Sequence, residues 1–321
     1  MDYRRFIINI TIFVSIIILF IIIMGGFFSL FLKPHKIGVP SYIEHTDEVE
    51  DISYIVEESN EPPIIDANPM FTKKSNKFAL LIGINYISNE SKNDDLNGCV
   101  NDMYNLCEFL QNDCHFFDEQ ITVLENKNAS YENIMIELGT LVYNSNKFPG
   151  SEIWFSYSGH GTSKYSFFEK DNRSEVICPS DYQDSGLISD VWLQENFIRK
   201  LHKDTKLFVL MDCCNSGSNM NLPYCLQDGM ETKREHDYDS SNLCNIIKIS
   251  GCRDDQTSAD YYDNNDKEFQ GALTNEFLNL DYRSSMVTNI QTIVRNLTNR
   301  GFSQRPVLSF SNEKCSQMTL I

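Results

Sequence analysis

Two adjacent cysteines, Cys213 and Cys214, end the apolar run "LFVLMD" and precede a Ser216-Gly217 turn. Upstream, His160 stands in "SYSGHGTS", directly after a second apolar run. A thiol is a strong nucleophile only when ionised. An imidazole within hydrogen-bond reach can take its proton and later return it to a leaving amine. Histidine suits that task because its unperturbed pKa lies near 6.5. The remaining histidines, His35, His45, His115, His202 and His236, fall in polar or flanking contexts, whereas His160 alone sits between glycines at a strand end. Gly161 adds a donor: with no side chain in the way, its N–H can approach a developing oxyanion closely, beside the N–H of the reacting cysteine. Of the two cysteines, one is free to pack and the other to react, and position alone leaves the choice open.

The elements around these residues alternate between two periods. "FALLIGINY", "QITVLEN", "EIWFSYS", "KLFVLMD", "NIIKIS" and "RPVLSF" read as strands, several of them apolar throughout. Between them, "LNGCVNDMYNLCEFLQ", "SYENIMIELGTLVYN" (with Ser130 as its cap), and residues 193–201, 272–280 and 287–300 carry helical spacing. Strands buried on both faces and alternating with helices predict an α/β fold with a mainly parallel sheet covered on both sides. Ligands of such sheets bind beyond the carboxyl ends of the strands. His160 and the two cysteines both lie there, on one rim. Neither GxGxxG nor GxxxxGK[ST] occurs, so a nucleotide reading lacks its phosphate loop.

Composition narrows the partners. A net charge of −18 over 321 residues repels phosphates and excludes nucleic acid, while favouring basic peptide segments. Ten cysteines, scattered and without metal-binding spacing, predict free thiols in a reducing compartment. Phe6 to Leu32 contain no charged residue, which predicts a membrane anchor within residues 1–36. Residues 37–76 follow as an acidic stalk too poor in apolar groups to fold, and 77–321 form the folded domain. The thiols place that domain on the cytosolic side of a single-pass membrane protein.

The segments "LIGINY", "LNGCVNDMYNLCEFL", "WFSYSGHGTS", "MDCCNSGSNMNLPY", "SGCRDDQTSAD" and "QRPVLSFS", in this order, resemble the metacaspases, caspase-like (caspase-hemoglobinase) cysteine peptidases of the C14 group. The separation of His160 from Cys214 is close to the caspase-type interval of about 50 residues. The resemblance implies that the family's "SGHG" histidine is His160 and that its nucleophile is Cys214, leaving Cys213 to pack. It further implies cleavage after Arg or Lys by an acidic S1 pocket made from Asp102, Ser158 and Asp212, in a protein expected to act as a monomer. Two carboxylates beside the nucleophile would hold a guanidinium by charge-assisted bonds.

The resemblance departs in two places. The family has a histidine after its nucleophile where this chain has Asn215. The family's calcium-binding aspartates fall on Ser174, Asp190, Val191 and Asn221, so a single carboxylate remains, with Asp171 and Asp181 nearby. A hard cation needs several anionic oxygens, and no cofactor is expected. The polar stretch "QDGMETKREHDYDSSN" is expected to be a mobile loop, with Lys233 and Arg234 as a possible point of self-cleavage. The rival expectations are a catalytically silent caspase-like scaffold at a membrane and, ranked last, a redox switch formed by the vicinal cysteines.

Overall fold

The computed structural model describes residues 76–87, 95–165, 173–214, 220, 222–227, 231–234, 242–251, 260–263 and 268–320. The expected anchor, and the stalk up to residue 75, lie outside these. Among the described residues no helix is long and apolar enough to cross a membrane.

An eight-stranded sheet forms the centre. Its strands are β1 (Lys77–Gly83), β2 (Ile121–Glu125), β3 (Glu152–Ser158), β7 (Lys206–Asp212), β8 (Tyr224–Gln227), β9 (Glu231–Arg234), β10 (Asn245–Ser250) and β13 (Val307–Phe310). They run in the order β2-β1-β3-β7-β10-β13-β8-β9. The first five are mutually parallel, and β13, β8 and β9 pair antiparallel at one edge. The sheet is therefore mainly parallel, as expected, with an antiparallel edge. A small sheet of β4 (Gly161–Tyr165), β5 (Arg173–Ile177) and β6 (Ile188–Ser189) and a hairpin of β11 (Asp260–Asp263) and β12 (Glu268–Gly271) complete the strands.

Successive side chains of a strand point to opposite faces, and each face here has its own core. Leu80 and Ile82 of β1, Ile153, Phe155 and Tyr157 of β3, and Leu207, Val209 and Met211 of β7 join one cluster. That cluster packs under α2 (Tyr131–Lys147) and α4 (Asp190–Asn196), through Ile134, Leu138 and Leu193. Ala79, Leu81, Trp154, Phe208 and Leu210 face the other way, against α1 (Cys99–Asn112), α5 (Ala272–Leu278) and α6 (Met286–Asn299). A strand buried on both sides cannot show polar alternation, which is why these runs read as apolar throughout.

Three of these helices, α2, α4 and α6, begin at side-chain caps. Ser130 accepts from Asn133 N at 3.3 Å, Ser189 from Trp192 N at 3.1 Å and Ser285 from Thr288 N at 3.3 Å. The short α3 (Tyr182–Ser185) follows Asp181, whose Oδ1 accepts from Tyr131 N at the start of α2 at 2.8 Å. The helix expected over 193–201 is instead α4, followed by a 3-10 turn at Ile198–Lys200. The chain leaves β1 for β2 on one side and returns to β3 on the other. The strand order thus reverses between β1 and β3, the place where sheets of this kind open a crevice at their carboxyl ends.

Candidate active site

Parallel pairing sets the register of the rim. Gly83 of β1 pairs with Ser158 of β3, and Ser158 with Asp212 of β7. The ladder runs one step further, Gly159 N donating to Asp212 O at 3.4 Å. His160 and Cys214 each follow their strand end by two residues, on strands spaced about 4.8 Å apart. They therefore emerge side by side. Gly161 opens β4 against the cysteine pair. A Cβ there would lie 3.2 Å from Cys213 Sγ and would overlap the Cys214 carbonyl, so the close approach requires glycine.

The two thiols differ in their surroundings. Cys213 is 1% exposed and belongs to the core cluster beneath α2 and α4. Cys214 is half-buried at the rim. His160 is likewise half-buried, its ring 4.4 Å from the ring of Tyr86. A third thiol, Cys178, is pushed up to about 12 by burial, which keeps it protonated near neutral pH.

On the face of the sheet that packs against α1, the predicted pocket residues meet. Asp102, in the first turn of α1, and Asp212, at the end of β7, are both buried. Ser158 Oγ donates to Asp102 Oδ2 at 2.8 Å, and Gly271 N to Asp102 Oδ1 at 2.9 Å. Thr274 donates twice to Asp212 Oδ2, from its backbone N and from its hydroxyl, each at 2.9 Å. A Cβ on Gly271 would lie 2.6 Å from Asp102 Oδ2 and would overlap Asp212 Oδ2. Both carboxylates thus converge on one point. With Ser158 and Thr274 they line a small cavity.

Gly271 and Thr274 carry no local sequence signal that ties them to this pocket. They lie far along the chain from Asp102, and "QGALTNEF" reads only as a helix start. The hairpin that carries Gly271 is held to α1 by Asn101 Nδ2 donating to Phe269 O at 2.9 Å and Asn105 Nδ2 to Glu268 Oε1 at 3.1 Å. Both asparagines stand beside Asp102 in a helix already singled out, and their helical spacing is the one signal that pointed to a partner on that face.

Of the positions matching a calcium cluster, Ser174, Asp190 and Val191 lie among the described residues and bring a single carboxylate. Asp190 is buried, and its Oδ1 already accepts from Ser174 Oγ and from Val191 N. Asp181 spends one oxygen on Tyr131 N and the other on Ser185 Oγ at 2.7 Å. Calcium takes six to eight oxygens, and Ser174 and Val191 bring no carboxylate. Asp171 and Asn221 lie outside the described residues. Among the described residues no group of three or more His, Cys, Asp or Glu side chains could hold a metal ion.

Lys233 and Arg234 lie in β9, paired across the hairpin with Cys225 and Tyr224. The stretch expected as a mobile loop thus contributes the outer edge strand of the main sheet, because hydrogen bonds to β8 satisfy its backbone.

Residues 77–223 match the family model for the metacaspase, peptidase C14 domain. Metacaspase-1 of Plasmodium falciparum (isolate 3D7) is 33% identical over 206 residues, which cover 61% of this chain and 33% of that protein. Metacaspase-1 of Meyerozyma guilliermondii is 28% identical over 292 residues, covering 74% of this chain and 70% of that one. Metacaspase-2 of Trypanosoma brucei brucei is 32% identical over 197 residues, 57% of this chain and 55% of that one. The chain therefore spans between one third and about 70% of the length of these relatives. A crystal structure of a protein from Geobacter sulfurreducens superposes with a TM-score of 0.54 at 21% identity, covering 76% of this chain and 97% of that one. It shares the fold.

Proposed function

We propose, for a chain that is a metacaspase-type protein of the peptidase C14 group, that it cleaves peptide bonds after Arg or Lys with His160 as general base and Cys214 as nucleophile. The observation that supports this most is the pairing of Ser158 with Asp212, which sets the histidine and cysteine loops beside each other at the mouth of an acidic pocket. His160 takes the Cys214 proton, and the sulfur adds to the carbonyl carbon. The N–H groups of Gly161 and Cys214 hold the oxyanion. His160 returns the proton to the departing amine, and water, deprotonated by His160, then frees the acyl group and restores the thiol.

Asp102 and Asp212 hold the basic side chain of the substrate, oriented by Ser158 and Thr274. The experiment is turnover of an Arg-terminated fluorogenic peptide by the folded chain and by its Cys214→Ala variant. Turnover that survives in the variant removes the reading. The same preference would make Lys233 and Arg234 a self-cleavage point, provided β9 can leave the sheet edge.

Calcium is not needed in this reading. The Ser174 hydroxyl and Val191 N both donate to Oδ1 of Asp190, the one carboxylate at these positions. Peptidase rate is expected to change by less than about twofold between chelator and millimolar calcium, since among the described residues no group of three or more His, Cys, Asp or Glu side chains could hold a metal ion. Strong activation at micromolar calcium would contradict it.

Residues Phe6–Leu32 anchor the peptidase in a membrane, with its domain on the cytosolic side. Their length and lack of charge support this. The full chain is expected in the carbonate-resistant membrane pellet, and a chain starting at Asn68 in the supernatant. Equal partition of the two would refute the anchor.

A further inference from the structure

The loop after β1 is bent in an unusual way. Tyr86 has φ 54°, in the left-handed region that L side chains rarely occupy. Such a conformation is strained and persists only where its surroundings over-determine it. Asn85 supplies that constraint. Its backbone N donates to Asn126 Oδ1 at 3.0 Å, its O accepts from Leu96 N at 2.8 Å, and its Oδ1 accepts from Val100 N, at the start of α1, at 3.1 Å. The left-handed turn sends the Tyr86 ring back over the imidazole of His160.

The Tyr86 hydroxyl then meets the backbone on both sides of the histidine loop. It accepts from His160 N at 3.1 Å and donates to Cys178 O. Tyr157, on β3, does the reverse: its hydroxyl donates to His160 O at 2.7 Å and accepts from Cys178 N at 3.1 Å. The two phenol oxygens lie 2.8 Å apart. Burial raises both phenols well above their ordinary range, so each keeps the proton it donates. Both backbone polar groups of His160 are thereby held by tyrosine hydroxyls, and one face of its ring is held by a tyrosine ring.

We infer that Tyr86 is a positioning residue for His160, fixing the backbone and ring plane of the base through its hydroxyl and its aromatic face, with Tyr157 as the second clamp. This rests on the histidine–cysteine reading above and adds the group that holds the base in place. Misplacing a base by a fraction of an ångström weakens proton transfer while leaving substrate binding in place, because Ser158, Gly271 and Thr274 hold the pocket carboxylates.

The test is Tyr86→Phe, which removes one oxygen and keeps the ring. On an Arg-terminated peptide, kcat is expected to fall about tenfold while KM stays within about twofold. Tyr157→Phe should act alike, and the double variant should fall less than the product of the two, because they share one network. A kcat within twofold of wild type in Tyr86→Phe, or a loss carried by KM, overturns the inference.

Capture of Cys214 by iodoacetamide, read by mass, keeps the result decisive if peptide turnover is absent. Slower capture in both Tyr86→Phe and His160→Ala than in wild type supports the inference. Slower capture in His160→Ala alone overturns it, and so does equal capture in all three. Should Tyr86→Phe fail to fold, Tyr157→Phe carries the same readings. Loss of Cys214-dependent turnover in wild type would sink the peptidase reading separately.

Discussion

Cys214→Ala is expected to lower turnover of an Arg-terminated peptide by at least about a thousandfold, because no neighbouring group can replace a nucleophile that forms the covalent intermediate. Cys213→Ala is the informative companion. Cys213 shares sequence context with Cys214 and would replace it in any reading based on composition alone. Yet it is 1% exposed and packed with Met211 and Tyr157 in the core. Removing its sulfur should destabilise the fold by about 1 kcal/mol, lowering the melting temperature by about 2–4 °C, and should leave kcat within about threefold. Intact mass of the two proteins after expression adds a second measure: if Lys233 and Arg234 are self-cleaved, two fragments appear in Cys213→Ala and none in Cys214→Ala. An exchange of these phenotypes, with Cys213 needed and Cys214 dispensable, would place the nucleophile on the wrong sulfur.

The parts of this arrangement that the sequence reveals are those dictated by local patterns. β1, β3, β7 and β10 are apolar on both faces, so their runs stand out, and their ends deliver His160, Ser158, Asp212 and Cys214 to one rim as parallel pairing requires. Ser130 as a helix cap is legible for the same reason, since the cap and the N–H it accepts from are three residues apart.

What stayed hidden is non-local or polar. "GTSKY", "RSEVI" and "ETKR" carry no period-2 apolar signal, so β4 and β5 do not stand out and β9 falls within a stretch that looks like a loop, although backbone pairing alone suffices to form them. The reversal of β13, β8 and β9 to antiparallel is a matter of connection, which side-chain pattern does not encode. Tyr86 read as the last residue of a strand. Its left-handed turn depends on Asn85 finding partners at Leu96, Val100 and Asn126, none of them adjacent in sequence. Gly271 and Thr274 reach the pocket from a hairpin and helix far downstream, and only the folded chain brings them to the aspartates.

That last contact carries the second large effect. Gly271→Ala is expected to raise KM for an Arg-terminated peptide by about tenfold to a hundredfold with kcat changed much less. The added methyl would overlap Asp212 Oδ2 and sit 2.6 Å from Asp102 Oδ2, so at least one carboxylate must swing away from the point where the guanidinium is held. Asp212→Asn approaches the same point without steric conflict. The amide oxygen can still accept from Thr274 N and Oγ, so the fold survives, but one of two negative charges is gone. Removing one partner of a buried charge pair costs about 2–5 kcal/mol, or about 30-fold to several thousandfold in kcat/KM. A citrulline-terminated peptide, isosteric with arginine but uncharged, separates charge from shape. Wild type should prefer arginine by the larger factor, and Asp212→Asn should lose most of that preference while Gly271→Ala loses kcat/KM on both through KM. If Asp212→Asn keeps the full preference for arginine over citrulline, the carboxylates at the ends of β7 and α1 hold the fold and not the substrate, and the basic specificity must come from elsewhere.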